Sequence, residues 1–177
     1  AESFERMRRA GAGGAPPVQS RPAPTIAVED RYAFELGGTH FEVIACDGAE
    51  TEDSLLVWLP QQRICFTGNA MGALFGHFPN LVTIRGDRYR DPLKYVEVLD
   101  RLLALDAEML CVGHFDPVVG RDRIRSELTR MKGAVLHVHD AIVAAMNAGS
   151  DVWTAMREIR LPPELEVGQG YGKVAWS

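Results

Sequence analysis

The sequence predicts a mixed α/β fold of the α+β kind, and three observations carry that prediction. Four short β-prone runs succeed one another between residues 32 and 67. Two helical patterns follow, the first with a recognisable start signal at residue 91 and the second with a stop signal at 147–149, and an isolated apolar run at 108–112 opens into a Gly-His loop. The chain has 177 residues, a formal net charge of −5, 46% hydrophobic and 24% charged residues, which is the composition of an ordinary globular domain and not of a disordered or collagen-like chain. At this size roughly two thirds of the unfolded surface can be buried, so a core can form without disulfide or metal staples.

Along the chain, residues 2–10 suit a short helix, and 11–25 hold Gly and Pro at a density that prevents regular structure. Strands are expected at 32–36 and 39–46, joined by Gly37-Gly38, the two-residue signal of a tight hairpin. Two more, at 54–59 and 63–67, are joined by Pro60-Gln61-Gln62, and four such strands in succession imply a largely antiparallel sheet. Asp91-Pro92 then reads as an N-cap followed by proline in the first helical turn, with Tyr95, Val96, Leu99, Leu102 and Leu103 at helical spacing. After the strand at 108–112, the residues Ile124, Leu128, Met131, Val135, Val138 and Ile142 form the apolar seam of a long helix starting near Arg121. Asn147-Ala148-Gly149 stops it, and a shorter helix covers 151–159. Such a seam packs against another helix. The expected division is 1–29 as short helix and linker, 30–120 as the sheet-bearing region and 121–177 as a helical region.

The composition also excludes functions. No apolar run approaches the ~20 residues needed to cross a bilayer, and the charged start is not a signal peptide. The basic residues are scattered and outnumbered by acids, 19 against 24, so no nucleic-acid surface is expected. No P-loop, GxGxxG, GxSxG or paired CxxC is present. Cys46, Cys65 and Cys111 lie in apolar stretches at no metal-knuckle spacing, which reads as buried free thiols and a cytoplasmic location.

The residues able to carry chemistry gather in strand-end loops. The loop 48–54 holds Glu50, Glu52 and Asp53 with two hydroxyls, Asn69 ends a later run, and His114 follows the last. Oxygen and imidazole donors on one edge of a sheet suit a divalent ion such as zinc or manganese, which lowers the pKa of a bound water. The competing reading is a solvated acidic loop, an Asn69 that caps a turn and a His114 that serves its own loop. His137-Val138-His139-Asp140 looks like a metal motif, but residues two apart on a helix point about 200° around the axis from one another, so a hydrogen-bonding role is expected. Arg85, beside Gly86 at the end of a short β run, has the paired N–H donors to hold a tetrahedral oxyanion, or it pairs with Asp87 or Asp91.

Taken in order, these segments resemble the metallo-β-lactamase superfamily, and within it the alkyl sulfatase-like branch. The resemblance rests on GAETEDS at 48–54, Trp58-Leu59-Pro60 followed by Phe66-Thr67-Gly68-Asn69, and PNLVTIRGDRYRD at 79–91. Further along, Gly113-His114 followed by Pro117, HVHDAIVAAMN at 137–147, Leu161-Pro162-Pro163-Glu164-Leu165 and Tyr171-Gly172 complete it. The resemblance implies the C-terminal half of an αββα sandwich followed by the start of a helical dimerisation region. It further implies a homodimer and zinc, one or two ions, used in the attack of water on a small-molecule sulfate or other ester. Glu50 and His114 would be metal ligands, Asn69 would stand in the place of a bridging carboxylate, and Arg85 would bind the sulfate-like group; no catalytic acid or base is assigned. The family's H-x-H-x-D-H signature lies upstream and is absent, so the chain is expected to be cut at both ends and inactive alone. The alternative is a non-catalytic dimerisation or interaction module derived from that fold, which the neutral Asn69 favours.

Overall fold

The computed structural model describes residues 23–48, 51–71, 75–81 and 90–167. The short helix expected at 2–10, and with it Glu50 and Arg85, lie outside the described residues.

Six strands form one sheet in the order β1-β2-β3-β4-β5-β6: Arg31–Leu36, Thr39–Ala45, Leu55–Leu59, Ile64–Gly68, Met109–Val112 and Val118–Val119. The first four make the antiparallel meander expected from the sequence. Gly37 and Gly38 both take positive φ, 58° and 78°, as a tight primed turn requires, and the register pairs Leu36 with Thr39 and Phe34 with Phe41. Helix α1 (Pro92–Leu105) then returns the chain so that β5 lies parallel to β4, with Cys65 opposite Leu110. The Asp91 side chain accepts hydrogen bonds from the Leu93 and Lys94 amides, at 2.8 and 3.5 Å, and Pro92 opens the first turn, so the predicted start signal works as read. The two-residue β6 is not among the expected strands, being too short to leave a period in the sequence.

Helix α2 (Arg121–Asn147) is 27 residues long, about 40 Å at 1.5 Å per residue. Its first four seam residues, Ile124, Leu128, Met131 and Val135, are buried in the same core as Ile44, Leu56, Trp58, Cys65 and Leu110 of the sheet and Tyr95, Leu99 and Leu102 of α1. That part of the seam is therefore filled from within the chain. Beyond it Val138 is half-buried and Ile142 exposed, and Met146 is 70% exposed. Helix α3 (Val152–Glu158) begins at Asp151, whose carboxylate accepts from the Trp153 and Thr154 amides at 3.0 and 3.1 Å, and a 3₁₀ turn at Pro163–Leu165 follows.

Both helices that pack on the sheet cover the same face. On the opposite face the pairings align Val57, Phe66 and Cys111 across adjacent strands, and Phe66 and Val119 remain 45% and 56% exposed. One sheet with helices on one face and an apolar second face is half of an αββα sandwich, followed by an α-helical region. No helix among the described residues is long and apolar enough to cross a membrane.

Candidate functional site

The β4–β5 pair decides where the site lies. Because the two strands are parallel, their carboxyl ends meet, and the residues just past them share one edge of the sheet, the usual place for chemistry in α/β proteins. Asn69 follows β4 and His114 follows β5. The Gly113 amide donates to the Gly68 carbonyl at 2.8 Å, which locks the two ends together. The loop between β2 and β3 leaves from this same edge, because β3 runs antiparallel to β4; Asp47, Gly48 and Thr51 to Ser54 are the described residues on either side of Glu50. Within it Thr51 Oγ1 donates to Asp53 at 2.6 Å, and the Thr51 amide donates to Ser54 Oγ at 3.1 Å, so that carboxylate and both hydroxyls are engaged locally.

The turn carrying Asn69 is held from several sides. Gly68 takes φ 50°, the Ala70 amide donates to the Thr67 carbonyl at 3.0 Å, and the buried Tyr95 hydroxyl donates to the Met71 carbonyl at 3.2 Å. Ala70 and Met71 are buried. Asn69 itself is half-buried and His114 exposed, and neither the carboxamide nor the imidazole makes a hydrogen bond to another described residue. A Cβ placed on Gly113 would fall 2.0 Å from Asn69 Oδ1, so the Asn69 side chain lies where residue 113 has none.

An amide oxygen and an imidazole on one rigid edge are donors that a borderline divalent ion accepts, so the residues present fit a metal of the zinc type as part of a ligand set. They do not complete one. Among the described residues no group of three or more His, Cys, Asp or Glu side chains is placed to hold an ion.

The histidine pair, Cys46 and Cys65 resolve as the sequence suggested, whereas Cys111, expected buried, is only half-buried because it lies on the sheet face that the helices leave uncovered. His137 Nε2 lies 2.9 Å from the Arg160 carbonyl, and His139 Nδ1 lies 2.9 Å from Asp140, so the two imidazoles serve separate local bonds. The thiols are free, and burial pushes Cys46 up to about 11 and Cys65 up to about 12, so that without a metal both are protonated and weakly nucleophilic at neutral pH. Two contributors to the geometry of this edge escaped the sequence: Tyr95, which looked like one more core position of α1, and Gly113, which was read only as the residue before His114.

No protein-family model matches the chain. It is 29% identical over 143 residues to a linear primary-alkylsulfatase of Pseudomonas sp., covering 81% of this chain and 26% of that one. With an alkyl/aryl-sulfatase of Saccharomyces cerevisiae it shares 26% over 148 residues, 81% of this chain and 22% of the other. The chain thus spans about a quarter of the length of these curated relatives. Among solved structures, a double mutant of the sec-alkyl sulfatase PisA1 matches with a TM-score of 0.72 at 25% identity, over 81% of this chain and 23% of its own. A metallo-β-lactamase family protein from Thermus thermophilus matches at 0.56 and 20% identity, over 88% of this chain and 52% of its own. The fold is that of a metallo-β-lactamase-type half-sandwich. In sequence and in structure the chain is similar to alkyl sulfatases.

Proposed function

We propose that this chain supplies the C-terminal part of the catalytic domain of a metal-dependent hydrolase acting on small-molecule esters, alkyl sulfate esters foremost. The observation that carries the reading is the sheet edge at which Asn69 and His114 stand on adjacent parallel strands, both without a hydrogen-bond partner among the described residues. The names of the relatives support the substrate class.

In this reading Asn69 and His114 hold a zinc-type ion, with Glu50 as a further ligand, and the place of the residues flanking Glu50 on the same edge supports that assignment. A bound divalent cation supplies Lewis acidity, which brings the pKa of water towards neutrality. The chain's own residues orient: the Tyr95-anchored turn keeps the Asn69 oxygen in place, and the Arg85 guanidinium pairs with the sulfate-like group and neutralises charge that develops on it. Because Asn69 is neutral, it does not offset two dications sharing one ligand, so a second ion binds less tightly than a carboxylate would allow.

The test is a chimera in which this chain replaces the matching quarter of the Pseudomonas alkylsulfatase. A folded chimera is expected to retain divalent metal and to release sulfate from a primary alkyl sulfate, both lost in His114→Ala. A folded chimera that holds no metal overturns the reading.

A homodimer is the second element of the proposal. Met146 on the projecting end of α2 and Trp153 and Met156 on α3 are large apolar residues left exposed, Trp153 by 67%. Replacing Met146 and Trp153 with Glu is expected to reduce self-association in analytical ultracentrifugation while the fold is kept, since neither is buried. If self-association persists in a metal-free, inactive chimera, the non-catalytic interaction module is the better account. The free thiols support a reducing, cytoplasmic setting.

A further inference from the structure

We infer that Gly113 is a positioning residue, whose missing side chain aims the residue-69 donor along the edge that also carries His114. The backbone does not ask for glycine here: Gly113 is absent from the residues with positive φ, so an L side chain suits its conformation. What excludes a side chain is its neighbour. A Cβ at residue 113 would lie 2.0 Å from Asn69 Oδ1, 3.1 Å from Asn69 Cγ and 3.0 Å from the Gly68 carbonyl carbon.

The main chain on the other side of this contact has little room to give. The Gly113 amide is bonded to the Gly68 carbonyl at 2.8 Å, the Thr67–Ala70 turn is closed at 3.0 Å, and Tyr95 holds the Met71 carbonyl at 3.2 Å, with Ala70 and Met71 buried. A methyl group at 113 must therefore be met by the one movable part of the contact, the Asn69 side chain, which would rotate away from the edge. Asn69 and Gly113 act as a unit, and an aspartate at 69, being of the same shape, would occupy the same space. The inference rests on the metal-site reading only in that the aimed donor then has an ion to serve.

The experiment has one arm free of metal and one with it. In the first, the Asn69 side-chain amide is followed by ¹⁵N NMR and the melting temperature is measured for the wild type, Gly113→Ala, Asn69→Ala and the double variant. Gly113→Ala is expected to shift the Asn69 amide resonance and lower the melting temperature, and the temperature penalty is expected to shrink in the Asn69→Ala background to what the 3.0 Å contact with the Gly68 carbonyl carbon leaves. An unmoved amide, or an equal penalty in both backgrounds, overturns the inference. In the second arm zinc is titrated into the Pseudomonas alkylsulfatase chimera described above, carrying Asn69→Asp with and without Gly113→Ala. Misaiming is expected to weaken zinc about 10–100-fold, the effect typical of losing a group that orients a ligand. Equal zinc affinity in the two backgrounds also overturns the inference. If neither background binds zinc while the amide still moves, the positioning role stands and the metal-site reading fails.

Discussion

The two ends of the parallel β4–β5 pair are built in opposite ways. At the amino end Arg63, just before β4, donates to the Asp106 carboxylate at 2.6 Å and to the Asp106 carbonyl, and Arg125 of α2 reaches the same carboxylate at 2.6 Å. Arg121 adds a 2.7 Å bond to Glu108, just before β5. Charges there are matched among themselves. At the carboxyl end, two residues with good donor atoms, Asn69 and His114, have no such partners among the described residues, although the backbone beneath them is held by Gly113 and Tyr95. One end spends its polar groups on holding α1, α2 and the strands together. The other holds its backbone rigid and leaves side-chain valence open, which is what a binding edge needs.

The largest expected effect strikes both ends at once. Leu110, in the middle of β5, is fully buried, and Leu110→Ala is expected to cost about 2–5 kcal/mol in urea unfolding. A cost below about 1 kcal/mol would show that the strand is not packed as described. Next comes Asp106→Asn, which deprives three guanidinium groups of their shared carboxylate. The Arg125 hydrogen bond, aided by the charges of Arg121 and Arg63, holds the Asp106 carboxyl below its ordinary value of 3.8. A group whose folded pKa is lowered stabilises above its unfolded value, so this contribution is present at neutral pH and fades as pH falls below 3.8. The melting temperatures of wild type and Asp106→Asn are therefore expected to differ at pH 7 and to converge in strong acid; a constant gap breaks the contrast.

At the open end the effects on stability shrink. Tyr95→Phe removes the hydroxyl that holds Met71 and is expected to cost about 0.5–1.5 kcal/mol, with faster amide exchange confined to the 67–71 turn. His114→Ala is expected to change stability by less than about 0.5 kcal/mol, because the imidazole is exposed and hydrogen-bonded to nothing described. A loss of about 2 kcal/mol there would make His114 a structural residue and remove the distinction between the ends.

Much of this was legible beforehand where the signal is local. Gly37-Gly38 announced its hairpin and Asp91-Pro92 its helix start. Asn69 and His114 stood out because they directly follow β runs. Longer-range facts left no trace in the pattern. The parallel register that brings residues 68 and 112 side by side joins segments more than forty positions apart, and so does the bond between Arg63 and Asp106. Tyr95 fits the helical period of α1 whether or not its hydroxyl meets a carbonyl.

The sequence by itself determined the longer elements, their order and the candidate donors, because turn chemistry, capping and periodicity act over a few residues. Tertiary structure alone decided that the seam of α2 is core at Val135 and surface at Ile142, since the period is the same on both sides and only the extent of the sheet and α1 differs. It also decided that Gly113 must lack a side chain, because the atom that would collide with it belongs to Asn69, on a neighbouring strand end.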